Sequence, residues 1–254
     1  MVSGLLAVHN RANRTTTRHF TNSLYHPSYS MPASEEHQLT VSRTARYYQA
    51  GVLSGATRQV WFVCHGYGQL AAYFIRHFHS LPQHDPTTVI IAPEGLSRFY
   101  LNGTGGRIGA TWMTREDRLA EIEDYGAYLN QLAGAILTRC PADVQVTVLG
   151  FSQGAATVSR WLARARFRPA RLILWAGAFP ADMEFTVATR LLEQLPVVLV
   201  CGDQDQFISP EELTRQQQFL QSLGVEPVII RFPGRHEMNL GVLQQLHQAG
   251  SGVG

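Results

Sequence analysis

The chain has 254 residues, 45% of them hydrophobic, with 22 glycines, 12 prolines and a formal net charge of +2. That length and apolar fraction suit one large domain or two small ones around a proper core, and they exclude a disordered tail, a collagen-like chain and a small disulfide-stapled scaffold. Arg11, Arg14 and Arg18 fall in the first thirty residues, which hold no acid, so residues 31–254 carry 18 arginines against 19 acidic groups, a net of −1. A body this neutral gives no reason to expect nucleic acid or an anionic membrane as partner. No apolar run approaches the ~20 residues that span a bilayer, and the absence of lysine excludes lysine-based chemistry. Cys64, Cys140 and Cys201 are odd in number, widely spaced and without a CxxC pair. They suggest a reducing compartment, read as cytoplasmic, or simply buried thiols, rather than a disulfide or zinc framework.

Residues 1–30 are rich in Ser, Thr, Asn, Arg and His and lack hydrophobic periodicity. Their one apolar patch, Leu5 to Val8, is too short for a signal-peptide core. An organelle transit peptide shares this arginine-rich, acid-free composition. The reading adopted is a disordered extension, with residues 31–254 forming a single domain. Residues 38–50 suggest an antiparallel edge hairpin or one long strand. Short runs rich in Val, Ile and Leu come next at Val60–Cys64, Val89–Ala92, Val144–Leu149, Leu172–Trp175, Val197–Cys201 and Val228–Phe232. They are apolar on both faces, as strands buried beneath helices on either side must be.

Between them lie helical patterns. The clearest runs from Arg115 to about Thr138, with Leu119, Ile122, Leu129, Leu132 and Ile136 at three- and four-residue spacing, Thr114 as N-cap, and Glu116 and Asp117 in the first turn. Another spans Pro210 to Ser222 and stops at Gly224. This alternation predicts an α/β fold with one mostly parallel sheet.

In such sheets ligands bind beyond the carboxyl ends of the strands, and four strand tails carry residues of interest. Gly150-Phe151-Ser152-Gln153-Gly154 is a G-x-S-x-G sequence after a buried strand and before a helix, the context of a nucleophile elbow. A serine hydroxyl needs a base oriented by a third group. After the strand Val197–Cys201 comes Gly202-Asp203-Gln204-Asp205, and after Phe232 comes Pro233-Gly234-Arg235-His236. The order Ser, Asp, His is that of the hydrolase sheet. His236 lies beyond the nucleophile in the chain and is read as the base. Asp205 is preferred over Asp203 as the acid, because the loop must travel outward before a carboxylate reaches the imidazole; Asp203 then caps the turn. The fourth tail, Cys64-His65-Gly66-Tyr67-Gly68, is expected to bring backbone close to a substrate carbonyl. The expected oxyanion hole is the N–H of Tyr67 with the N–H of Gln153. His65 itself reads as a structural hydrogen-bonding residue.

These four motifs together resemble the α/β-hydrolase superfamily, and the Gly150-Phe151-Ser152-Gln153-Gly154 elbow is similar to its phospholipase/carboxylesterase branch, which includes the acyl-protein thioesterases. The resemblance covers about residues 38–249. It implies an α/β-hydrolase fold, Asp205 as the triad acid, and, from the short interval between Phe179 and Pro196, no large cap domain. Tyr67 departs from the aliphatic residue expected in that branch, so a thioesterase substrate is not implied.

Other signals lead elsewhere. Ile108 breaks a G-x-G-x-x-G reading of Gly103 to Gly109, which suggests a flexible loop, and Leu240 breaks H-E-x-x-H after His236. His77, His79 and His84 match no defined metal pattern, and the basic run from Arg160 to Arg171 reads as a solvated face. The segment Glu94 to Met113 is expected to overhang Ser152 as a loop. Its Phe99, Tyr100, Trp112 and Met113 then either line an acyl pocket or pack the loop onto the body. The expectation is a serine carboxylesterase for small-molecule esters of short to medium acyl chain, with no cofactor and no metal. A thioesterase, lysophospholipase or peptidase would use the same constellation. A non-catalytic binding protein is the remote alternative.

Overall fold

The computed structural model describes residues 34–251, so the expectation for residues 1–30 lies outside the described residues. The main compact unit begins at Arg43. It contains a seven-stranded sheet in the order β1-β3-β2-β6-β7-β8-β9. The strands are β1 (Tyr47–Ala50), β2 (Gln59–Cys64), β3 (Thr88–Pro93), β6 (Gln145–Phe151), β7 (Arg171–Trp175), β8 (Val197–Gly202) and β9 (Val228–Phe232). Only β1 runs antiparallel, on the outer side of β3. The edge expected over residues 38–50 is thus a strand of four residues.

Alternation along the central strands explains their unbroken apolar character. Phe62, Val148, Leu174 and Leu199 face one side of the sheet, where they pack with α3 (Arg118–Leu137), α4 (Gln153–Leu162), α5 (Phe185–Leu192) and α6 (Pro210–Ser222). Trp61, Val63, Leu149, Ile173 and Val200 face the other, against α1 (Ala71–Phe74), the 3-10 turn Ile75–Phe78, Leu81 of α2 (Ser80–His84) and α7 (Leu240–Ser251). Each such side chain contributes roughly 1.5–3 kcal/mol by leaving water, so both faces of the sheet are needed for stability.

Two expectations are corrected. The segment from Glu94 to Met113 is not a flexible loop: it folds into an antiparallel hairpin, β4 (Ser97–Asn102) and β5 (Gly105–Thr111). Glycines hid it, because Gly103 (φ 59°) and Gly106 (φ 87°) make the tight reversal while β4 alternates half-buried Phe99 and Leu101 with exposed Arg98 and Tyr100. Helix α3 starts at Arg118, not Arg115, with Asp117 at the N-cap position (φ 47°). The Thr114 N–H instead donates to Glu121 Oε2 at 2.6 Å, so Thr114 is tied to the helix from outside it.

Helix α6 keeps closely to the sequence pattern: Ser209 Oγ accepts from Glu212 N at 3.2 Å, and Gly224 (φ 84°) reverses the chain after the last turn. Between Phe179 and Pro196 there is one eight-residue helix, α5, and no large cap. No helix among the described residues is long and apolar enough to cross a membrane. The basic run is not one solvated face: Arg160 meets Asp182 at 2.7 Å and Arg164 pairs with Glu123, while Arg171 is buried over the Trp61 ring.

Candidate active site

Strands β2 and β6 lie side by side, with Cys64 opposite Gly150. Beyond their carboxyl ends the chain departs to opposite faces of the sheet, into α1 and α4. Such a switch point leaves a crevice that neighbouring connections do not fill.

Ser152 occupies that crevice with φ 53° and ψ −118°, a left-handed conformation rarely adopted by a residue with a side chain. Holding it costs about 1–3 kcal/mol. The surroundings enforce it: Ser152 N–H donates to Trp175 O at 2.8 Å, and glycines stand wherever the turn touches another backbone. A Cβ on Gly150 would lie 2.2 Å from Gly154 O, and one on Gly154 would lie 2.3 Å from Cys64 O. The same crowding applies at Gly177, whose Cβ would meet Ser152 O at 2.4 Å. Gly177 belongs to no motif, so sequence reading missed it; only its place just after a buried strand hinted at a role.

His236, in the loop after β9, approaches Asp205 with Nδ1 to Oδ2 at 2.9 Å. The Asp205 side chain is fully buried and that of His236 is 14% exposed. The other carboxylate oxygen, Oδ1, accepts from Phe207 N at 2.8 Å and Ile208 N at 3.1 Å. A carboxylate so engaged only accepts, so the imidazole proton belongs on Nδ1 and Nε2 is left as the proton acceptor. Asp203 is elsewhere: half-exposed, it pairs with Arg231 at 2.8 Å.

The two loops are joined by backbone bonds, Asp203 N to Phe232 O (2.9 Å) and Gln204 N to Gly234 O (2.8 Å), and Trp175 Nε1 donates to Glu237 O at 2.9 Å. Phe151 and Phe207 flank the imidazole, with centroids 4.9 and 4.7 Å away. Neither Phe207 nor Trp175 was singled out from sequence, since an exposed aromatic and a core tryptophan carry no pattern.

The loop after β2 uses the amides of Gly66, Gly68 and Gln69 internally or toward the hairpin: Gly66 N donates to Gln69 Oε1, Gln69 N to Gly66 O and Gly68 N to Ala110 O. Tyr67 N–H is not drawn into these bonds. Gln153 is the first residue of α4, where an amide has no acceptor within its helix. His65 is fully buried, with Nδ1 on Gly66 O (2.8 Å) and Nε2 accepting from Gly95 N (3.0 Å). Burial pushes its pKa down to about 4, which keeps it neutral and structural.

The hairpin residues divide. Phe99 stacks on the exposed ring of Tyr67 (centroids 5.1 Å), and Tyr100 lies on the outer, exposed side. Met113 is half-buried against the core. Trp112 is only 2% exposed and donates through Nε1 to His65 O at 2.8 Å. For Trp112 the packing alternative therefore applies, and the pocket-lining expectation is corrected: its indole N–H needs an interior acceptor, which draws the ring inward. A cleft of about 700 Å³ opens beside the hairpin, bounded by Leu70, Tyr73, Phe74, His77, Arg107 and Ile108.

All three cysteines are unbridged. Burial raises the Cys64 thiol pKa well above the usual range and that of Cys201 to about 11, so both are poor nucleophiles. Among the described residues no group of three His, Cys, Asp or Glu side chains is placed to hold a metal ion.

Comparison with known proteins adds the family. No curated protein matches the chain in sequence. Several solved structures share its fold. Acyl-protein thioesterase 2 from Zea mays superposes with a TM-score of 0.63 at 18% identity, covering 82% of this chain and 98% of the other. Esterase PE8 gives 0.62 at 22%, covering 82% and 98%. A carboxylesterase from Mesorhizobium loti gives 0.61 at 20%, covering 82% and 95%. The profile of the phospholipase/carboxylesterase family matches residues 53–248. The chain therefore belongs to the phospholipase/carboxylesterase family of α/β-hydrolases and is a hydrolase of the serine esterase/thioesterase type.

Proposed function

We propose that the protein is a carboxylesterase that cleaves small-molecule esters of short to medium acyl chain through a Ser152 acyl-enzyme. The observation that carries this reading is the His236–Asp205 contact of 2.9 Å on a fully buried carboxylate, at the same sheet end as the strained Ser152. His236 Nε2 takes the proton of Ser152 Oγ as that oxygen attacks the ester carbonyl. The tetrahedral oxyanion is held by Tyr67 N–H and Gln153 N–H. Collapse breaks the bond to the alcohol oxygen, which leaves with the proton from His236. Water then attacks the acyl-enzyme with His236 as base, and Ser152 Oγ recovers its proton as the acid departs. Asp205 holds the imidazole and stabilises its cationic form throughout.

The acyl range rests on the uncapped site and on the modest apolar surface that Phe99 and Tyr67 supply. Three unbridged cysteines suit a cytoplasmic location. The test is hydrolysis of nitrophenyl esters from acetate to dodecanoate by wild type and Ser152→Ala, with acyl thioesters alongside. Turnover that peaks below about eight carbons and falls by at least about 10⁴-fold in the variant is expected. Equal activity in both proteins would remove Ser152 as nucleophile, and a preference for thioesters would replace the ester assignment.

A further inference from the structure

The end of β5 touches both segments that carry the proposed oxyanion donors. On one side, Ala110 O accepts from Gly68 N at 2.9 Å and Ala110 N donates to Gln69 O at 3.1 Å, immediately after Tyr67. The approach is so close that a Cβ on Gly109 would lie 2.5 Å from Gly68 O. On the other side, the Gln153 carboxamide spans three consecutive residues. Its Oε1 accepts from Trp112 N at 3.1 Å, its Nε2 donates to Met113 O at 2.8 Å, and Thr111 Oγ1 lies within 3.1 Å of both carboxamide atoms. Thr111 Oγ1 also donates to Met113 O at 2.9 Å, which fixes the turn that Gln153 grips.

We infer that the side chain of Gln153 is a positioning residue for the oxyanion hole. Its carboxamide locks the first residue of α4 onto β5, and β5 in turn is paired with the loop after β2. The separation and aim of the two amides are therefore set through one short strand. The inference rests on the proposed esterase reading and assigns the Gln153 side chain a role separate from that of its own N–H. Electrostatic stabilisation of an oxyanion depends steeply on donor placement, since it needs donors about 2.7–3.1 Å from the developing charge. A residue with side-chain bonds on three neighbours has few rotamers left, so its peptide plane is held before substrate arrives.

The test uses Gln153→Met, which keeps the main-chain N–H and similar bulk but loses all carboxamide bonds, and Thr111→Val, which removes the hydroxyl's bond to the carboxamide together with its bond to Met113 O. With nitrophenyl acetate, whose acyl group is too short to reach far along the hairpin, kcat should fall about 10- to 100-fold in Gln153→Met, below the ~10²–10³ that loss of a whole donor costs. KM should change less than about 2-fold. Thr111→Val should show a smaller fall of the same kind. Affinity for an acyl trifluoromethyl ketone, which adds Ser152 Oγ to form a tetrahedral oxyanion, should fall by the same factor as kcat/KM. If the carboxamide merely anchored the hairpin, KM and chain-length preference would move and kcat on acetate would stay within about 2-fold of wild type in both variants. That result overturns the inference, as does a ketone affinity that does not track kcat/KM. Should Gln153→Met fail to fold, Thr111→Val alone decides by the same two readings. Wild-type protein without Ser152-dependent turnover would instead overturn the esterase reading itself, and this role with it.

Discussion

The two ends of the sheet hold the same three chemical groups in different states. At the carboxyl end are Ser152, His236 and Asp205; at the amino end are Thr88, His247 and Asp85. Thr88 Oγ1 lies 2.7 Å from His247 Nε2 and 2.8 Å from Asp85 Oδ2, while His247 Nε2 is 3.6 Å from Asp85 Oδ2. By residue type these are again a hydroxyl, an imidazole and a carboxylate, here with the hydroxyl in contact with both of the others. Yet Thr88 is fully buried in the first position of a regular strand, and its hydroxyl is occupied from two sides. Ser152 is half-buried, lifted on a left-handed turn, and has backbone amides close by that are not spent on the fold. The difference teaches that composition alone does not set a hydroxyl apart: of the two, only Ser152 combines access, a strained turn and unspent donors, which is what the proposed nucleophile requires.

The sharpest way to break the comparison is at the acids. Asp205→Asn keeps the shape but removes the carboxylate that fixes the imidazole proton on Nδ1, and about a 10⁴-fold loss of kcat is expected. Asp203→Asn disturbs only a half-exposed pair with Arg231, and less than about a 3-fold change is expected, since such pairs are worth ~0–1 kcal/mol. Ester kinetics on the two variants decide between them; equal losses would mean that the loop as a whole, not Asp205, orients His236.

A third histidine separates burial from reactivity. Burial holds His65 at a pKa of about 4, below the 6.5 of an unperturbed imidazole. Protonation therefore favours the unfolded chain. The stabilisation is complete above about pH 6.5 and is lost as pH falls toward 4, a difference of about 3 kcal/mol. Urea midpoints at pH 7 and pH 4.5 measure it, and His65→Gln should flatten the dependence. A wild-type midpoint unchanged over that range would contradict a neutral buried ring. Glu94 shifts downward too: burial pushes its carboxyl up, but hydrogen bonds from Arg46 and Arg98 outweigh this and hold it below the usual range.

The smallest effect belongs to the amino end. Thr88→Val removes the hydroxyl between Asp85 and His247 and should cost about 1–2 kcal/mol of stability. Ester turnover should stay within about 2-fold of wild type. Denaturant melts and kinetics on the same preparation test both, and a selective loss of turnover would show that the two ends of the sheet are coupled.

The central strands β2, β3, β6, β7 and β8 were legible because each is apolar on two faces and ends in a turn signal, whereas β9 is half-exposed and was found by its apolar run alone. The nucleophile loop, the His236 loop and the choice of Asp205 over Asp203 could be formulated from the residues just beyond the end of each apolar run. The hairpin could not, because its glycines serve both tight reversal and close approach and so resemble a loop. The capping of α3 misled for a related reason: Thr114 hydrogen-bonds to Glu121 inside the helix as a cap would, but the intervening Arg115 to Asp117 are not helical. Gly177, Phe207 and the carboxamide of Gln153 act only through contacts between segments far apart in sequence, and no local pattern announces them.

The pairing of β2 with β6 also bears on how the protein acquires activity. Tyr67 and Gln153 are separated in the chain by β3, the hairpin and α3, and they become neighbours only when Cys64 comes to lie opposite Gly150. Contacts so distant along the chain form at a high entropic cost and tend to be slow. Neither a nascent chain that ends before β9 nor a proteolytic fragment from either half contains every group the proposed reaction needs. Recovery of turnover after denaturation would thus report completion of the sheet, not its first collapse.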